Sequence, residues 1–159
     1  MNDIVSIPPE PASPAGATVS AGAFWPVIAI ADVRAVLRIG GASMTHERLT
    51  EAVRFAMVDV TRQLTAWRVE QQANGYASLS EIDQDNVIDD KTALEVLFDR
   101  AVTQMAGAEL ADRYPDLTAT REGADRAETI MTVADDYRRS ATRAIRAILG
   151  QTGTMVELV

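Results

Sequence analysis

Three stretches of this chain repeat apolar residues every three or four positions, and no other feature constrains the fold as strongly. Leu49, Val53, Ala56, Val60, Leu64 and Trp67 are spaced 4, 3, 4, 4 and 3 apart, which places them on one stripe of an α-helix. Thr45 caps that helix, and Glu47 and Glu51 sit early in it, where the dipole favours anions. It is predicted to run through about Gln72, roughly 42 Å at 1.5 Å per residue, and to stop at Asn74-Gly75. A second stripe joins Leu94, Leu97, Ala101, Met105 and Ala108, widened by Phe98 and Val102. It ends near Tyr114-Pro115, because proline disfavours helix in the residue before it. The third, from about Glu122 to Leu149, repeats at Ile130, Ala134, Tyr137, Ala141, Ala144 and Ile148, with Gly150 at the C′ position. A short helix is expected to open at Asp32, to carry Val33, Val36 and Leu37 inward and to end at Gly40-Gly41. Alanine occurs 26 times, which suits high helix propensity and close packing. The expected fold is all-α: a small bundle of three long helices and one short helix, with extended N- and C-terminal tails.

The flanks read differently. Residues 1–23 carry Pro8, Pro9, Pro11 and Pro14 among Ala, Ser and Gly and are read as a flexible, partly extended arm. Residues 24–150 form the helical domain and 151–159 an extended tail, Thr154-Met155-Val156-Glu157-Leu158-Val159 being the one stretch that reads as strand. Between arm and bundle stands an apolar step, Phe24-Trp25-Pro26-Val27-Ile28, with Trp25 expected to be extended because proline follows it. It either pins the arm to its own bundle or offers an aromatic contact to another molecule. The connection 76–90 packs back through Tyr76 and Leu79 and holds Glu81, Asp83, Asp85, Asp89 and Asp90 without a base.

Composition excludes more than it proposes. With 159 residues, one domain is the expectation. The absence of cysteine removes disulfides, cysteine-ligated metals and thiol nucleophiles. The net charge of −8 argues against a protein that grips phosphates, since that affinity comes from local positive charge. No apolar run approaches the roughly 20 residues of a membrane span. Met1 to Pro14 lack the basic and apolar regions of a signal peptide, so an intracellular product is expected. The single histidine, His46, beside the capping Thr45, reads as a solvated first-turn residue, and there is no G-x-S-x-G turn and no phosphate loop. Asp83, Asp85 and Asp89 loosely resemble a calcium loop, but Val87 and Ile88 occupy ligand and glycine positions. Asp135-Asp136 point about 100° apart on a helix, so they are expected to pair with Arg138 and Arg139 rather than share a proton. No cofactor, metal or catalytic residue is called.

One asymmetry remains. Fourteen of the fifteen basic residues are arginine. Between Tyr137 and Leu149 stand Arg138, Arg139, Arg143 and Arg146 with no acid among them. They either complement the helix dipole or form a face for an acidic surface, a use for which guanidinium forks are well suited.

The order and spacing of several segments resemble one known family. They are Arg48-Leu49-x-Glu51-Ala52, then Arg68-Val69-Glu70-Gln71 leading to Gly75-Tyr76-x-x-Leu79. Next come Phe98-x-Arg100-Ala101-Val102-x-x-Met105-Ala106, Arg113-Tyr114 and Asp116-Leu117-x-Ala119. The chain closes with Ala134-Asp135-Asp136-Tyr137-Arg138-Arg139 and Ala144-Ile145-Arg146-x-Ile148-Leu149-Gly150. Together with Phe24-Trp25-Pro26 they resemble the head completion/stabilisation family of tailed bacteriophages, typified by GpL of P2-like phages, over about residues 24–159. The resemblance implies a structural virion protein at the head–tail junction, made in the host cytoplasm. It implies a ring homo-oligomer, twelve-fold by family likeness, that forms on the portal protein after DNA packaging. The ring helps retain DNA and meets a tail or tail-completion protein, while packaged DNA passes through without sequence-specific binding and no membrane is involved. The residues expected to make subunit or partner contacts are Phe24, Trp25, Pro26, Arg138, Arg139, Arg143, Arg146, Met155, Val156, Leu158 and Val159. The alternative is a DNA-binding packaging protein resembling a small terminase subunit, which needs the basic recognition helix that the net charge opposes.

Overall fold

The computed structural model describes residues 13–38, 44–114 and 124–150, with side chains of the last segment from residue 132 onward. The elements in order are β1 (Thr18–Val19), β2 (Ile28–Ala29), α1 (Ile30–Val36), α2 (His46–Gln63) and α3 (Thr65–Ala73). A 3₁₀ turn (Leu79–Glu81), β3 (Val87–Ile88), β4 (Lys91–Thr92), α4 (Ala93–Arg113) and α5 (Ala124–Ile148) follow. The fold is predominantly helical rather than all-α, because two small antiparallel ribbons flank the helices. In the first, Thr18 faces Ala29 and Val19 faces Ile28. In the second, Val87 faces Thr92 and Ile88 faces Lys91. The first ribbon lies partly within the segment expected to be an arm, and its Val19 is buried.

The helix boundaries follow local chemistry. Thr45 caps α2 as expected, its hydroxyl accepting from the Arg48 amide at 3.4 Å. At the same end, the Glu47 carboxyl lies below its ordinary pKa because its own backbone amide, and then the Thr45 hydroxyl, bond it. The helix expected to run unbroken to Gln72 is two helices. Leu64, at φ −94° and ψ 4°, separates α2 from α3. Just before the break, the Thr61 hydroxyl donates to the Met57 carbonyl at 2.7 Å, and the Thr65 hydroxyl donates to the Thr61 carbonyl at 3.0 Å. Such back-bonding competes with the backbone ladder and bends helices. Leu64 is fully buried at the break, and Trp67 meets Phe24 edge-on at 6.4 Å. The short helix also differs, beginning at Ile30 with Ala29 as an N-cap that makes no side-chain bond. Asp32 therefore lies inside its first turn. It closes before the glycine pair, with Leu37 as C-cap and Arg38 taking the left-handed φ of 55°. Gly40 and Gly41 lie outside the described residues.

A complete capping box starts α4: the Glu95 amide donates to the Thr92 hydroxyl, and the Glu95 carboxylate accepts from the Thr92 amide at 2.8 Å. Its C-cap is Tyr114, the residue before proline. This helix is the centre of the bundle, packed on α2 and, most extensively, on α5. Consequently its burial exceeds one stripe: Phe98, Ala101, Val102, Ala106 and Leu110 join the main core, and Thr103, Gly107, Ala108 and Ala111 are buried as well. The expected Leu94, Leu97 and Met105 are only partly buried. Gly107 permits the α4–α5 approach: a Cβ there would lie 2.9 Å from Leu37 Cδ2 and 3.0 Å from the Tyr137 ring. On α5, Ala134, Ala141, Ala144, Ile145 and Ile148 face inward, and Gly150 takes the expected positive φ, 70°.

The aromatic step closes the core. Trp25 stacks on Phe98 at 4.8 Å and 7°, and Phe24 meets Trp25 edge-on at 4.8 Å. The Phe24 carbonyl accepts from the Leu79 amide at 2.9 Å, which pins the 3₁₀ turn against the same layer. Leu79 is fully buried as expected, whereas Tyr76 stays exposed.

Candidate interaction surface

The outer face of α5 is built by helical spacing alone. Ala134, Ala141, Ala144 and Ile148 take the inward positions, so residues 135, 138, 139, 142, 143 and 146 fall together on the opposite side. Asp135, Arg138, Arg139, Thr142, Arg143 and Arg146 there line a shallow groove of about 460 Å³. All four arginines expected as contacts are therefore gathered on one solvent face.

They are not equivalent. Arg138 reaches across the helix interface to Asp112 of α4 and donates to Asp135 at 3.1 Å. Arg139 pairs with Asp136 at 3.0 Å. The pairing expected for Asp135-Asp136 is thus present, and it is local and exposed, the type that contributes only a few tenths of a kcal/mol. Arg143 and Arg146 are exposed and make no ion pair among the described residues.

The other expected contacts fall elsewhere. Phe24 and Trp25 are each only 5% exposed, so the expectation of an aromatic contact is corrected: hydrophobic burial against Phe98 and Trp67 claims both rings. Pro26 is half-buried and Val27 is the exposed residue of that step. Met155, Val156, Leu158 and Val159 lie outside the described residues.

The acidic connection contains a feature that sequence reading missed. Val87–Ile88 and Lys91–Thr92 make a hairpin whose two loop residues, Asp89 and Asp90, have φ of 49° and 65°, the positive pair a type I′ turn requires. Asp83 is also left-handed, at 58°. Val87 and Ile88 are about half exposed. A two-residue gap after a β-branched pair was the available signal, but Asp-Asp is a weaker hairpin cue than Asn-Gly or Asp-Gly. Lys91 fastens the hairpin to α4 through Asp99 at 2.6 Å. Burial pushes the Asp99 carboxyl up, against the pull of Lys91, and one of its oxygens is buried without a partner. The Lys91 ammonium is raised in turn, chiefly by its bond to Asp99.

Among the described residues, no three His, Asp or Glu side chains stand close enough to hold a metal. His46 is half-buried beside the Thr50 hydroxyl, about 3.4 Å away. No helix among the described residues is long and apolar enough to cross a membrane. A second concavity, about 490 Å³, lies between β1 and α2, with Val19, Ala21, Met57 and Val58 on its walls beside Arg54.

Fold and surface together define a small, predominantly helical protein with an arginine-lined groove on its last helix. The chain belongs to the phage head completion protein (GPL) family, whose sequence pattern matches residues 19–159. It is 28% identical over 136 residues to the head completion/stabilization protein of Escherichia phage P2, covering 86% of this chain and 79% of that protein. No solved structure matches it significantly. A structural role in phage head completion follows from the family.

Proposed function

We propose that this protein is a head–tail connector that assembles as a ring on the portal once DNA is packaged, helps keep the DNA inside and prepares the head for the tail. The observation that carries this reading, beside family membership, is the outer face of α5. Its arginines are collected on one helical side of a chain whose net charge is −8. A ring is a heterologous assembly in which one face of each copy meets a different face of the next. Segregated basic and acidic surfaces suit that geometry. A wall of negative net charge around the channel also favours passage of DNA without adhesion.

In this reading Arg138, Arg139, Arg143 and Arg146 contact a neighbouring copy or the portal. The tail carrying Met155, Val156, Leu158 and Val159 adds to a groove or sheet edge of the portal. Electron microscopy of the purified protein and of head particles tests it directly, a ring at the vertex being the expected image. Reversing Arg139 and Arg143 should abolish the ring at unchanged helicity, and deleting residues 154–159 should spare folding while abolishing head attachment. Normal rings in the first variant, or completed heads with the second, refute the corresponding contact.

A further inference from the structure

We propose that the acidic hairpin β3–β4 of one copy docks on the arginine-lined groove of α5 of a second copy, an inference that rests on the ring reading above. The two surfaces are complementary in charge and both are unspent. Asp85, Asp89 and Asp90 are exposed and make no ion pair among the described residues. Arg143 and Arg146 likewise make no ion pair among the described residues; Arg139 holds only an exposed local pair, and Arg138 pairs with Asp135 and with Asp112 of α4.

The hairpin also has apolar content that its own chain does not cover. Val87 is 53% exposed and Ile88 51%. Neighbouring strand residues project to opposite sides, so a hairpin lying between long side chains can cover both. Arginine stems are apolar and can lie along aliphatic groups while their guanidinium ends reach carboxylates. The groove of about 460 Å³ is bounded by such side chains.

The hairpin is pre-organised. The Ala93 amide bonds the Asn86 carbonyl at 2.8 Å, Lys91 bonds Asp99, and Thr92 is held in the capping box of α4. Little ordering entropy remains to oppose docking. Its tip carries two left-handed aspartates, Asp89 where aspartate is favoured and Asp90 where glycine would serve the turn better. Within one chain the hairpin packs on α4, and no ion pair among the described residues joins it to α5. The donor and acceptor surfaces are different, so repeated contacts propagate around a ring.

The natural absence of cysteine makes the contact easy to trap. The full chain carrying Ile88→Cys and Thr142→Cys is purified, imaged for rings, oxidised and run on a non-reducing gel. A ladder of intermolecular disulfides is expected, with none when Thr142→Cys is replaced by Val58→Cys on exposed α2. Adding Arg143→Glu and Arg146→Glu should lower the cross-linked yield about tenfold or more at low salt. Neutralising the tip as Asp89→Asn with Asp90→Gly, which keeps the turn's preferred residues, should lower it in the same direction. Rings without the ladder overturn this inference and leave the ring reading standing. A chain that stays monomeric at every concentration overturns both. If the charge-reversed variant loses duplex DNA in a gel shift but cross-links normally, the groove is a nucleic-acid surface and the inference is wrong.

Discussion

Replacing Gly107 by alanine sets two physical effects against each other at the closest contact of the bundle. Gly107 lies inside α4, where alanine is preferred by about 1 kcal/mol on helix propensity alone. The added methyl would stand 2.9 Å from Leu37 Cδ2 and 3.0 Å from Cδ1 and Cε1 of Tyr137, against roughly 3.5–4.0 Å for unstrained carbon contacts. Leu37 is half-buried at the end of α1 and can turn its terminal methyl away. The Tyr137 ring cannot yield as cheaply, because its Cα is fixed by the packing of Ala134 and Ala141 on either side. Overpacking of this kind costs about 2 kcal/mol, so the net expectation is a loss near 1 kcal/mol, or about 2–4 °C in Tm for a chain of this size. Urea denaturation followed by helical circular dichroism measures it. In a Tyr137→Leu background the ring is gone, and Gly107→Ala should become neutral or stabilising, a coupling of about 1–2 kcal/mol. Stabilisation of the otherwise native chain by Gly107→Ala, or equal cost in both backgrounds, refutes the account of this contact.

Other perturbations test the remaining joints. Trp25→Ala should cost about 3–5 kcal/mol, since it removes a 5%-exposed ring stacked on Phe98; a loss below about 1 kcal/mol in the same denaturation assay would contradict its core position. Thr92→Ala removes the hydroxyl that accepts from the Glu95 amide and donates to the Glu95 carboxylate, while the backbone half of the box stays; it should cost about 1 kcal/mol, read as a lower urea midpoint with unchanged slope. The pH dependence of Asp99 has a definite sign. Burial raises its folded pKa above the ordinary value, so its contribution to stability is fully present below that value and is lost as pH rises through the folded one. Compared with Asp99→Asn, the native chain should therefore gain relative stability as pH falls from about 7 to about 3.5. A difference that moves the other way would show that the Lys91 bond, not burial, dominates this carboxyl.

Legibility in the sequence varied with the locality of the cause. The stripes through Leu49 to Leu64 and through Ala134 to Ile148 were readable because one buried side per helix produces one period. The cap at Thr45 and the turn at Gly150 were readable because each acts on its own backbone. The break at Leu64 was not, because the apolar period continues through it and only the hydroxyls of Thr61 and Thr65 mark it. For α4 the stripe was too narrow: a central helix is buried on two sides, and alanine, glycine and threonine on the second side carry little hydrophobic signal. The same residue economy hid the role of Gly107, which becomes visible only when Leu37 and Tyr137 are placed beside it. Phe24 and Trp25 were ambiguous on sequence because an aromatic step before a bundle serves core and contact equally. Three-dimensional proximity to Phe98 decides for the core.

With Phe24 and Trp25 buried, the described surface offers Phe55, Tyr76 and half-exposed aliphatics such as Val58, Val69, Val87 and Ile88, together with its arginines. The inward side of α5 is largely alanine, which lets it sit close to α4 and leaves its outer side free for long side chains. The pairs Arg138–Asp135 and Arg139–Asp136 are exposed and formed within one helical turn, whereas Arg138 is also held by Asp112 of α4. Such pairs contribute about 0.3–0.5 kcal/mol, whereas a carboxylate delivered with water excluded can bind a guanidinium several times more strongly. Exchange of the local partners for those of another subunit is therefore inexpensive. In the docking proposed above, Asp135 and Asp136 are the local partners that Arg138 and Arg139 exchange for acids of a second copy. On that proposal an acidic chain carries a basic contact face whose arginines are partly neutralised until the second copy docks.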